Sequence, residues 1–305
     1  MSTANRSTAQ PLNRVAVAAH AKANLFLRIL SREPSGYHGL ETVFTLLDLA
    51  DELTVERIEG GIELTVEGTD TGPAEANLAY RAADLVLNAT GRRFGVRIRL
   101  VKRIPVAAGL GGGSSDGAAA LRAVNALAGN AVPGPEIFQF ATKLGADVAF
   151  FASGAPLALA WGRGERLFRL RPPAAAPVLL VLPDFGVSTA KAYELADQGR
   201  DWTGSRGPVL LEADAFTTWG GIARLGGNDF EVPVFGKEPV LRELYEKLCG
   251  TGPLLARLSG SGSALFGVYR NERDRDDAAM VLAGLGRRVV STATRPRSAP
   301  EPEPT

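Results

Sequence analysis

The stretch PVAAGLGGGSSDGAAA, residues 105–120, decides the fold of this chain. Four glycines surround a single leucine, two serines and an aspartate follow, and an alanine-rich run of helical composition comes next. Because glycine has no Cβ atom, the backbone N–H groups of such a loop can approach an anion closely. The N-terminus of the following helix directs its positive end to the same place. The stretch therefore predicts a phosphate-binding loop.

This loop differs from the two common nucleotide loops. No lysine follows its glycines in the GK[ST] form, and Ser114 stands where the dinucleotide fingerprint has its last glycine. A flexible Gly/Ser linker is the alternative. The setting disfavours a linker, because residues 96–104 alternate like a strand and residues 117–128 have helical spacing.

Composition excludes several classes of protein. A formal net charge of +1 over 305 residues gives no case for a nucleic-acid or membrane-surface partner, and no run is apolar and long enough to span a bilayer. Cys249 is the single cysteine, so no internal disulfide can form, which fits a reducing cytoplasm. The first residues lack the apolar core of a signal peptide. We therefore expect a cytoplasmic protein, and no obligate protein partner is evident.

Strand-like and helical segments are mixed along the chain without a repeating βα rhythm. Residues 15–30 and 40–58 have strand composition, whereas residues 75–90 have apolar side chains at helical spacing. This mixture favours two α+β domains over a barrel or a doubly wound sheet. The proline-rich residues 169–177 are the candidate boundary between them.

If the loop binds nucleotide phosphates, phosphoryl transfer is the leading chemistry, and it needs a cation and an acceptor-side carboxylate. Lys22 and Lys102 are the candidate cations, and Asp147 is the candidate carboxylate. Lys22 lies in the apolar run AHAKANLFL, where it either has a partner or points to solvent from an edge strand. Asp147 precedes an apolar segment, where it is either paired or the N-cap of a short helix. A Lys22–Asp147 pair would explain both positions.

Two further segments could contact a ligand. In GYHGLETVF, Tyr37 and His38 could stack on and hydrogen-bond a ligand ring, although a surface turn would have the same residues. In SGSGSALFG, residues 259–267, the glycine-rich backbone could form either an anion-binding nest or a simple hairpin turn.

Taken together, the segments resemble the GHMP kinase superfamily. From about residue 15 to residue 294, the chain carries in family order AKANLFL, GYHGLETVF, PVAAGLGGGSSD, LGADVAFF and SGSGSALFG. Its segments WGRGERL, GVSTAKAY and NDFE are also similar to family segments. The GYH segment and the AKANL start resemble the superfamily members that act on a CDP-linked erythritol alcohol in non-mevalonate isoprenoid synthesis.

The resemblance implies a two-domain α+β GHMP kinase fold with the active site in the cleft between the domains. We expect an ATP-binding N-terminal domain over residues 14–170 and a C-terminal domain over residues 171–294. Disordered tails are expected over residues 1–13 and 295–305, which are polar or proline-rich. The implied activity is ATP-dependent phosphorylation of a hydroxyl on a cytidyl diphosphate substrate, with Mg²⁺ arriving on the ATP phosphates.

Residue by residue, the resemblance makes Asp147 the catalytic base and Lys22 the catalytic lysine. It implies substrate contacts from Asn24, Tyr37, His38 and Tyr193, with Tyr37 and His38 reading the cytosine. It names no metal ligand. It implies nucleotide contacts from Lys102, Pro105, Val106, Ala107, Ala108, Gly109, Leu110, Gly111, Gly112, Gly113, Ser114 and Ser115.

Two alternatives stay open at the level of sequence. The chain could be another GHMP small-molecule kinase, such as a homoserine kinase, which would have no ring to read with Tyr37 and His38. It could also be a non-catalytic paralogue that binds a nucleotide as a regulator. The presence of both Lys22 and Asp147 argues against that reading, because a pure binder needs neither.

Overall fold

A long antiparallel hairpin of two strands organises the first half of the molecule. In the computed structural model, which describes residues 12–198, 211–285, 287–298 and 300–305, β1 (Arg14–Arg32) pairs with β2 (His38–Ile58) along most of its length. Strand β2 then pairs with β4 (Gly95–Val101) through its second half and with β5 (Leu157–Gly162) through its first half. The remaining strands of this sheet are β3 (Ile62–Glu67), β6 (Arg166–Arg169) and β11 (Glu303–Pro304).

Four helices cover one side of the first sheet. Helix α2 packs closely because alanines dominate its buried face, including Ala119 and Ala123, and small side chains let backbones approach. The four helices are α1 (Leu78–Ala89), α2 (Gly112–Leu127), α3 (Gly134–Leu144) and α4 (Ala146–Ser153). A short 3₁₀ turn, Ala74–Ala76, precedes α1.

The second half contains an antiparallel four-stranded sheet of order β10-β7-β9-β8. Its strands are β7 (Pro177–Leu182), β8 (Leu255–Leu258), β9 (Leu265–Val268) and β10 (Arg288–Ala293). The helices of this half are α5 (Thr189–Gln198), α6 (Trp219–Arg224), α7 (Glu231–Lys237), α8 (Pro239–Gly250) and α9 (Glu272–Ala283), with a 3₁₀ turn at Ala213–Thr217.

Strand β1 runs through the cores of both halves. Its early apolar residues, such as Val17, pack with the first sheet and its helices, whereas Leu25 packs with residues of the second sheet. Ile29 belongs to a third cluster with the C-terminal helices. Lys22 and Asn24 lie between these apolar positions, where the two halves meet. The hairpin therefore carries the two polar side chains to the boundary between the sheets.

The structure differs from the sequence expectations at two places. Helix α2 begins at Gly112, inside the glycine loop, rather than at residue 117. Residues 303 and 304 pair with β1, in the C-terminal segment expected to be a disordered tail over residues 295–305. Backbone pairing with the edge of β1 holds this end, which side-chain composition alone does not indicate. Of the N-terminal tail expected over residues 1–13, residues 1–11 lie outside the described residues. Leu12 packs against the core, and the carbonyl of Asn13 accepts from the N–H of Arg57 at 2.8 Å. No helix in the described ranges is long and apolar enough to cross a membrane.

Candidate active site

The glycine loop leads directly into α2 and needs glycine at two positions. Gly109 and Gly111 adopt left-handed backbone angles, with φ of +77° and +71°. A Cβ atom on Gly109 would lie 2.0 Å from the carbonyl oxygen of Ser259, and one on Gly111 would lie 3.0 Å from Cγ of Lys22. The loop is therefore pressed against both β1 and the second half of the molecule.

The β8–β9 turn holds the loop from the other side of the cleft. The hydroxyl of Ser259 donates to the carbonyl of Gly109 at 2.9 Å, and the amide of Ala264 donates to the carbonyl of Ala108 at 3.1 Å. The second glycine-rich segment is thus the hairpin turn that one sequence reading predicts, and Gly260 and Ser261 within it line the cavity. The cavity lies where the two sheets meet.

The loop and the first turn of α2 form one wall of a cavity of about 470 Å³. Ser115 is buried in α2 and is not among the lining residues, although the resemblance implies that it contacts the nucleotide. The implied nucleotide-binding residues that do line the cavity are Lys102, Pro105, Val106, Ala107, Ala108, Gly109, Leu110, Gly111, Gly112, Gly113 and Ser114.

Lys22 and Asp147 meet in this cavity. Nζ of Lys22 lies 3.5 Å from Oδ2 of Asp147 and donates to Oδ1 of Asn24 at 2.7 Å. The Lys22 side chain is 4% exposed, whereas that of Asp147 is 36% exposed. Asp147 lies in the first turn of α4, whose N-cap is Gly145, so Asp147 is not the cap. The structure thus brings together the pair that the sequence suggests, with the carboxylate open to the cavity.

A short hydrogen-bond chain fixes the position of the lysine. Nδ2 of Asn24 donates to Oγ1 of Thr42 at 2.9 Å, and that hydroxyl donates to the carbonyl of Phe26 at 2.6 Å. The amide oxygen of Asn24 is therefore turned towards Lys22. The side chains of Lys22, Asn24 and Thr42 are all buried, so this series of hydrogen bonds is rigid.

Lys102 is held by two buried carboxylates. Its Nζ donates to Oδ2 of Asp116 at 2.7 Å and also to Oδ2 of Asp51. Oδ1 of Asp51 accepts from the backbone N–H of Ile104 at 2.8 Å, just before the glycine loop. Burial raises the pKa of Asp116 to about 7, although Lys102 opposes this shift. Lys102 lies in the cavity wall with its ammonium group already paired, and a nucleotide contact from it stays a prediction.

The aromatic residues lie around an adjoining cavity of about 1040 Å³. The ring of His38 stacks on that of Tyr193 with centroids 4.5 Å apart and planes 14° apart, and Nε2 of His38 lies 2.7 Å from Oδ1 of Asp197. Burial, together with the charge of Asp147, raises the pKa of Tyr193 to about 12, so its hydroxyl stays protonated. Tyr37 is 60% exposed. All three predicted ring-binding residues thus border one space.

Several lining residues were missed by the sequence reasoning. Arg163 and Thr189 border both cavities, and they fall in the segments WGRGERL and GVSTAKAY, to which no role was given. Thr42 positions Asn24, and Asp51 positions Lys102, so neither role is visible in the neighbouring sequence. No group of three or more His, Cys, Asp or Glu residues that could hold a metal ion occurs in the described part of the chain.

The comparisons with known proteins agree with this architecture. Residues 77–155 match the GHMP kinases N terminal domain, and residues 210–287 match the GHMP kinases C terminal family. The 4-diphosphocytidyl-2-C-methyl-D-erythritol kinase of Pelotomaculum thermopropionicum is 42% identical over 83% of this chain and 88% of its own length. The enzyme of the same name from Desulfitobacterium hafniense is 39% identical over 93% of this chain and 97% of its own.

Solved structures give the same result. A crystal structure of 4-(cytidine 5'-diphospho)-2C-methyl-D-erythritol kinase is 38% identical, has a TM-score of 0.78 and covers 92% of this chain and 98% of its own. Homoserine kinase from Cytophaga hutchinsonii, at 20% identity and a TM-score of 0.66, shares the fold. The resemblance and the two-domain α+β fold predicted from the sequence are confirmed. The chain is a member of the GHMP kinases and belongs to the family of 4-diphosphocytidyl-2-C-methyl-D-erythritol kinases.

Proposed function

We propose that this chain transfers the γ-phosphoryl group of ATP to the 2-hydroxyl of 4-diphosphocytidyl-2-C-methyl-D-erythritol. The observation that carries the proposal is the Lys22–Asp147 pair beside the glycine loop, in a cavity that adjoins the aromatic one. In this proposal, the glycine loop binds the nucleotide phosphates, Asp147 meets the alcohol and the aromatic cavity binds the ring, one after another along the cleft. The names of its relatives describe a substrate in which a cytidine is joined through a diphosphate to an erythritol alcohol, in the same order as these sites.

The phosphates of ATP would lie against the glycine loop. The backbone N–H groups at the start of α2 have no partners within the helix, and the helix dipole adds positive potential at the same end. Gly113 keeps a side chain out of this space, since a Cβ atom there would have no neighbour within 4 Å. Charge that develops on the transferring group and on ADP would be stabilised by these fixed dipoles.

Asp147 would receive the proton of the attacking hydroxyl. The hydroxyl oxygen forms the new bond to the γ-phosphorus, the bond to the β-phosphate oxygen breaks, and ADP leaves with that electron pair. Proton transfer late in such a reaction needs a positioned carboxylate rather than a strong base. Lys22, held by Asn24, would stabilise the negative charge on the incoming oxygen.

The cytidyl part of the substrate would bind in the adjoining cavity. His38 and Tyr193 already stack on each other, so a base cannot lie between these two rings in this arrangement. Tyr37, whose ring is exposed, offers the aromatic surface for stacking. Binding energy at this end would position the reacting hydroxyl at the other end of the cleft.

Mg²⁺ fits the site as a companion of ATP. The described residues contain no cluster of carboxylates that would bind the ion without ATP. Mg²⁺ prefers phosphate oxygens and water as ligands. When bound with ATP, it would neutralise phosphate charge. We place the reaction in the cytoplasm, as the cysteine content leads us to expect.

A coupled assay of ADP release tests this proposal. ATP would be supplied with 4-diphosphocytidyl-2-C-methyl-D-erythritol, homoserine or mevalonate in separate reactions. Turnover with the cytidyl compound alone supports the proposal. Turnover with another alcohol would keep the Lys22–Asp147 chemistry but discard the substrate. ATP binding without any turnover would support the non-catalytic regulator.

A further inference from the structure

We propose that Arg163 binds the diphosphate bridge of the substrate and makes the enzyme specific for a nucleoside diphosphate. This inference rests on the proposed function, since it assigns a residue to the middle of the same substrate. Arg163 is the residue of the β5–β6 turn that the structure places in the walls of both cavities.

The turn is built to present this side chain. Gly162 and Gly164 flank Arg163 and both have positive φ, +75° and +103°, which lets the chain reverse within a few residues. A Cβ atom on Gly164 would lie 3.2 Å from Cβ of Ala146, so the tip of the turn packs against the start of α4. The turn that carries Arg163 therefore lies next to the first turn of α4, which carries Asp147, and both residues line the same cavity.

The position of Arg163 matches the order of groups in the substrate. With cytosine at Tyr37 and the reacting hydroxyl at Asp147, the diphosphate must pass through the region where the two cavities adjoin. Among the residues that the structure describes, three line both cavities: Arg163, Thr189 and Tyr193. Of these three, Arg163 carries the positive charge. Without Arg163, the negative charge of the diphosphate would face the carboxylate of Asp147 with no cation between them.

The guanidinium group is oriented and still has donors to offer. Its Nε and Nη2 donate to Oε1 and Oε2 of Glu33 at 3.3 and 2.5 Å. Nη2 also lies 3.3 Å from Oγ of Ser35, and the guanidinium carbon lies 4.1 Å from the centre of the Tyr37 ring. Nη1 makes no hydrogen bond or ion pair to any residue in the described ranges. Glu33 thus occupies the Nε–Nη2 edge of the planar fork, and the two N–H groups of Nη1 remain for phosphate oxygens. The side chain is 47% exposed, so a ligand can reach it.

Arg163 could instead act solely by holding the ring of Tyr37. The two roles differ in which part of the ligand they affect. Loss of a phosphate contact lowers the affinity for CDP but not for cytidine. Loss of support for Tyr37 lowers the affinity for both ligands equally. Comparison of these two ligands therefore separates the roles.

The experiment measures Kd for CDP and for cytidine by calorimetry, with the glycine loop saturated by a non-hydrolysable ATP analogue so that CDP cannot occupy it. We expect Arg163→Met to raise Kd for CDP at least tenfold and to change Kd for cytidine less than twofold. Arg163→Lys should recover part of the loss, because a lysine keeps the charge without the fork. In turnover, Arg163→Met should raise KM for the cytidyl substrate with little change in kcat.

Arg166→Met is the matched control, because Arg166 lies on the same hairpin, is 68% exposed at its side chain and lines neither cavity. It should leave both Kd values unchanged. An equal rise for CDP and cytidine in Arg163→Met, or no rise for either, overturns the proposal. If the wild-type protein binds CDP but does not phosphorylate the cytidyl alcohol, the proposed function fails while this assignment is still decided by the two Kd values. If the wild-type protein does not bind CDP, both fail.

Discussion

Nζ of Lys22 lies 3.5 Å from Oδ2 of Asp147, although one residue is in the middle of a strand and the other is in the first turn of a helix. The lysine is buried and the carboxylate faces the cavity. A buried cation is stable only when it is paired and hydrogen-bonded, and Asn24 supplies the second partner. The pair can therefore present a charged carboxylate to a substrate at little cost in reorganisation.

Replacement of this carboxylate by an amide should remove most of the activity. We expect Asp147→Asn to lower kcat by about 10²- to 10⁴-fold, which is the usual contribution of one general acid or base. The ammonium group of Lys22 keeps its hydrogen bond to Asn24, so the fold and the glycine loop should persist. Steady-state kinetics and calorimetric titration with ATP measure the two effects.

The control for Asp147→Asn is Asp184→Asn, which removes an exposed carboxylate outside the cavity lining. It should leave kcat unchanged. A kcat near the wild-type value in Asp147→Asn would show that Asp147 does not accept the proton. A large loss of ATP affinity would show that its role lies in nucleotide binding instead.

The sequence suggested the Lys22–Asp147 pair, because a charge inside an apolar segment needs a partner and each could serve the other, but it left open a solvent-facing lysine and an N-capping aspartate. The sequence also placed the glycine loop before a helix, and Gly109 and Gly111 have local geometric reasons to be glycine, whereas phosphate binding there stays a prediction. The stack of His38 on Tyr193 could not be predicted in this way. It depends on the approach of α5 to the start of β2, and two aromatic residues far apart in sequence carry no signal of contact.

The buried partners of Lys102 were missed for a related reason. Asp51 lies within the strand-like residues 40–58 and Asp116 lies within the helix that begins in the glycine loop, so each alone looks like a surface carboxylate. Their burial becomes visible only when β2, β4 and α2 are packed together. The start of α2 at Gly112 was missed because glycine has low helix propensity, which the packing of the loop overrides.

The exposed ring of Tyr37 should contribute to substrate binding rather than to the chemical step. We expect Tyr37→Ala to raise KM for the cytidyl substrate about tenfold with a small change in kcat, because loss of an aromatic stack costs on the order of 1–1.5 kcal/mol. Phe168→Ala is a matched control, since Phe168 is 58% exposed and lies on β6 outside both cavities. An unchanged KM in Tyr37→Ala would remove this ring from the cytosine site.

Two glycines of the loop should respond differently to alanine. In Gly109→Ala, the left-handed backbone angle alone costs about 1–2 kcal/mol, and a Cβ atom 2.0 Å from the Ser259 carbonyl forces the cleft apart. In Gly113→Ala, no atom lies within 4 Å of the new Cβ, and alanine favours the helix by up to about 1 kcal/mol.

Urea unfolding and the KM for ATP measure the two effects. Gly109→Ala should lower the free energy of unfolding, whereas Gly113→Ala should preserve or raise it and still increase KM for ATP, because Gly113 lines the phosphate wall. Equal stability of the two variants would contradict the close approach of Gly109 to the β8–β9 turn. An unchanged KM for ATP in Gly113→Ala would mean that the phosphates do not lie against this turn of α2.

The carboxyl group of Asp116 should make folding stability depend on pH near neutrality. Burial raises its pKa from 3.8 to about 7 in the folded protein, against the opposing effect of Lys102. Between these two pH values, the folded state holds a proton that the unfolded state has lost. The contribution of this group to stability is therefore fully present below about pH 3.8 and is lost as the pH rises through about 7.

Comparison of the wild type with Asp116→Asn isolates this effect, because the amide cannot ionise but can still accept the hydrogen bond from Lys102. Urea unfolding at pH 5, 6, 7 and 8 should show the wild type losing stability relative to the variant, by at most about 1.4 kcal/mol per pH unit for one proton. Asp184→Asn, at the exposed carboxylate, should run parallel to the wild type. If the difference between wild type and Asp116→Asn did not change with pH, Asp116 would be ionised throughout this range, and the Asp51–Lys102–Asp116 cluster would carry a net negative charge beneath the phosphate loop. ATP binding would then have to overcome that charge at every pH tested.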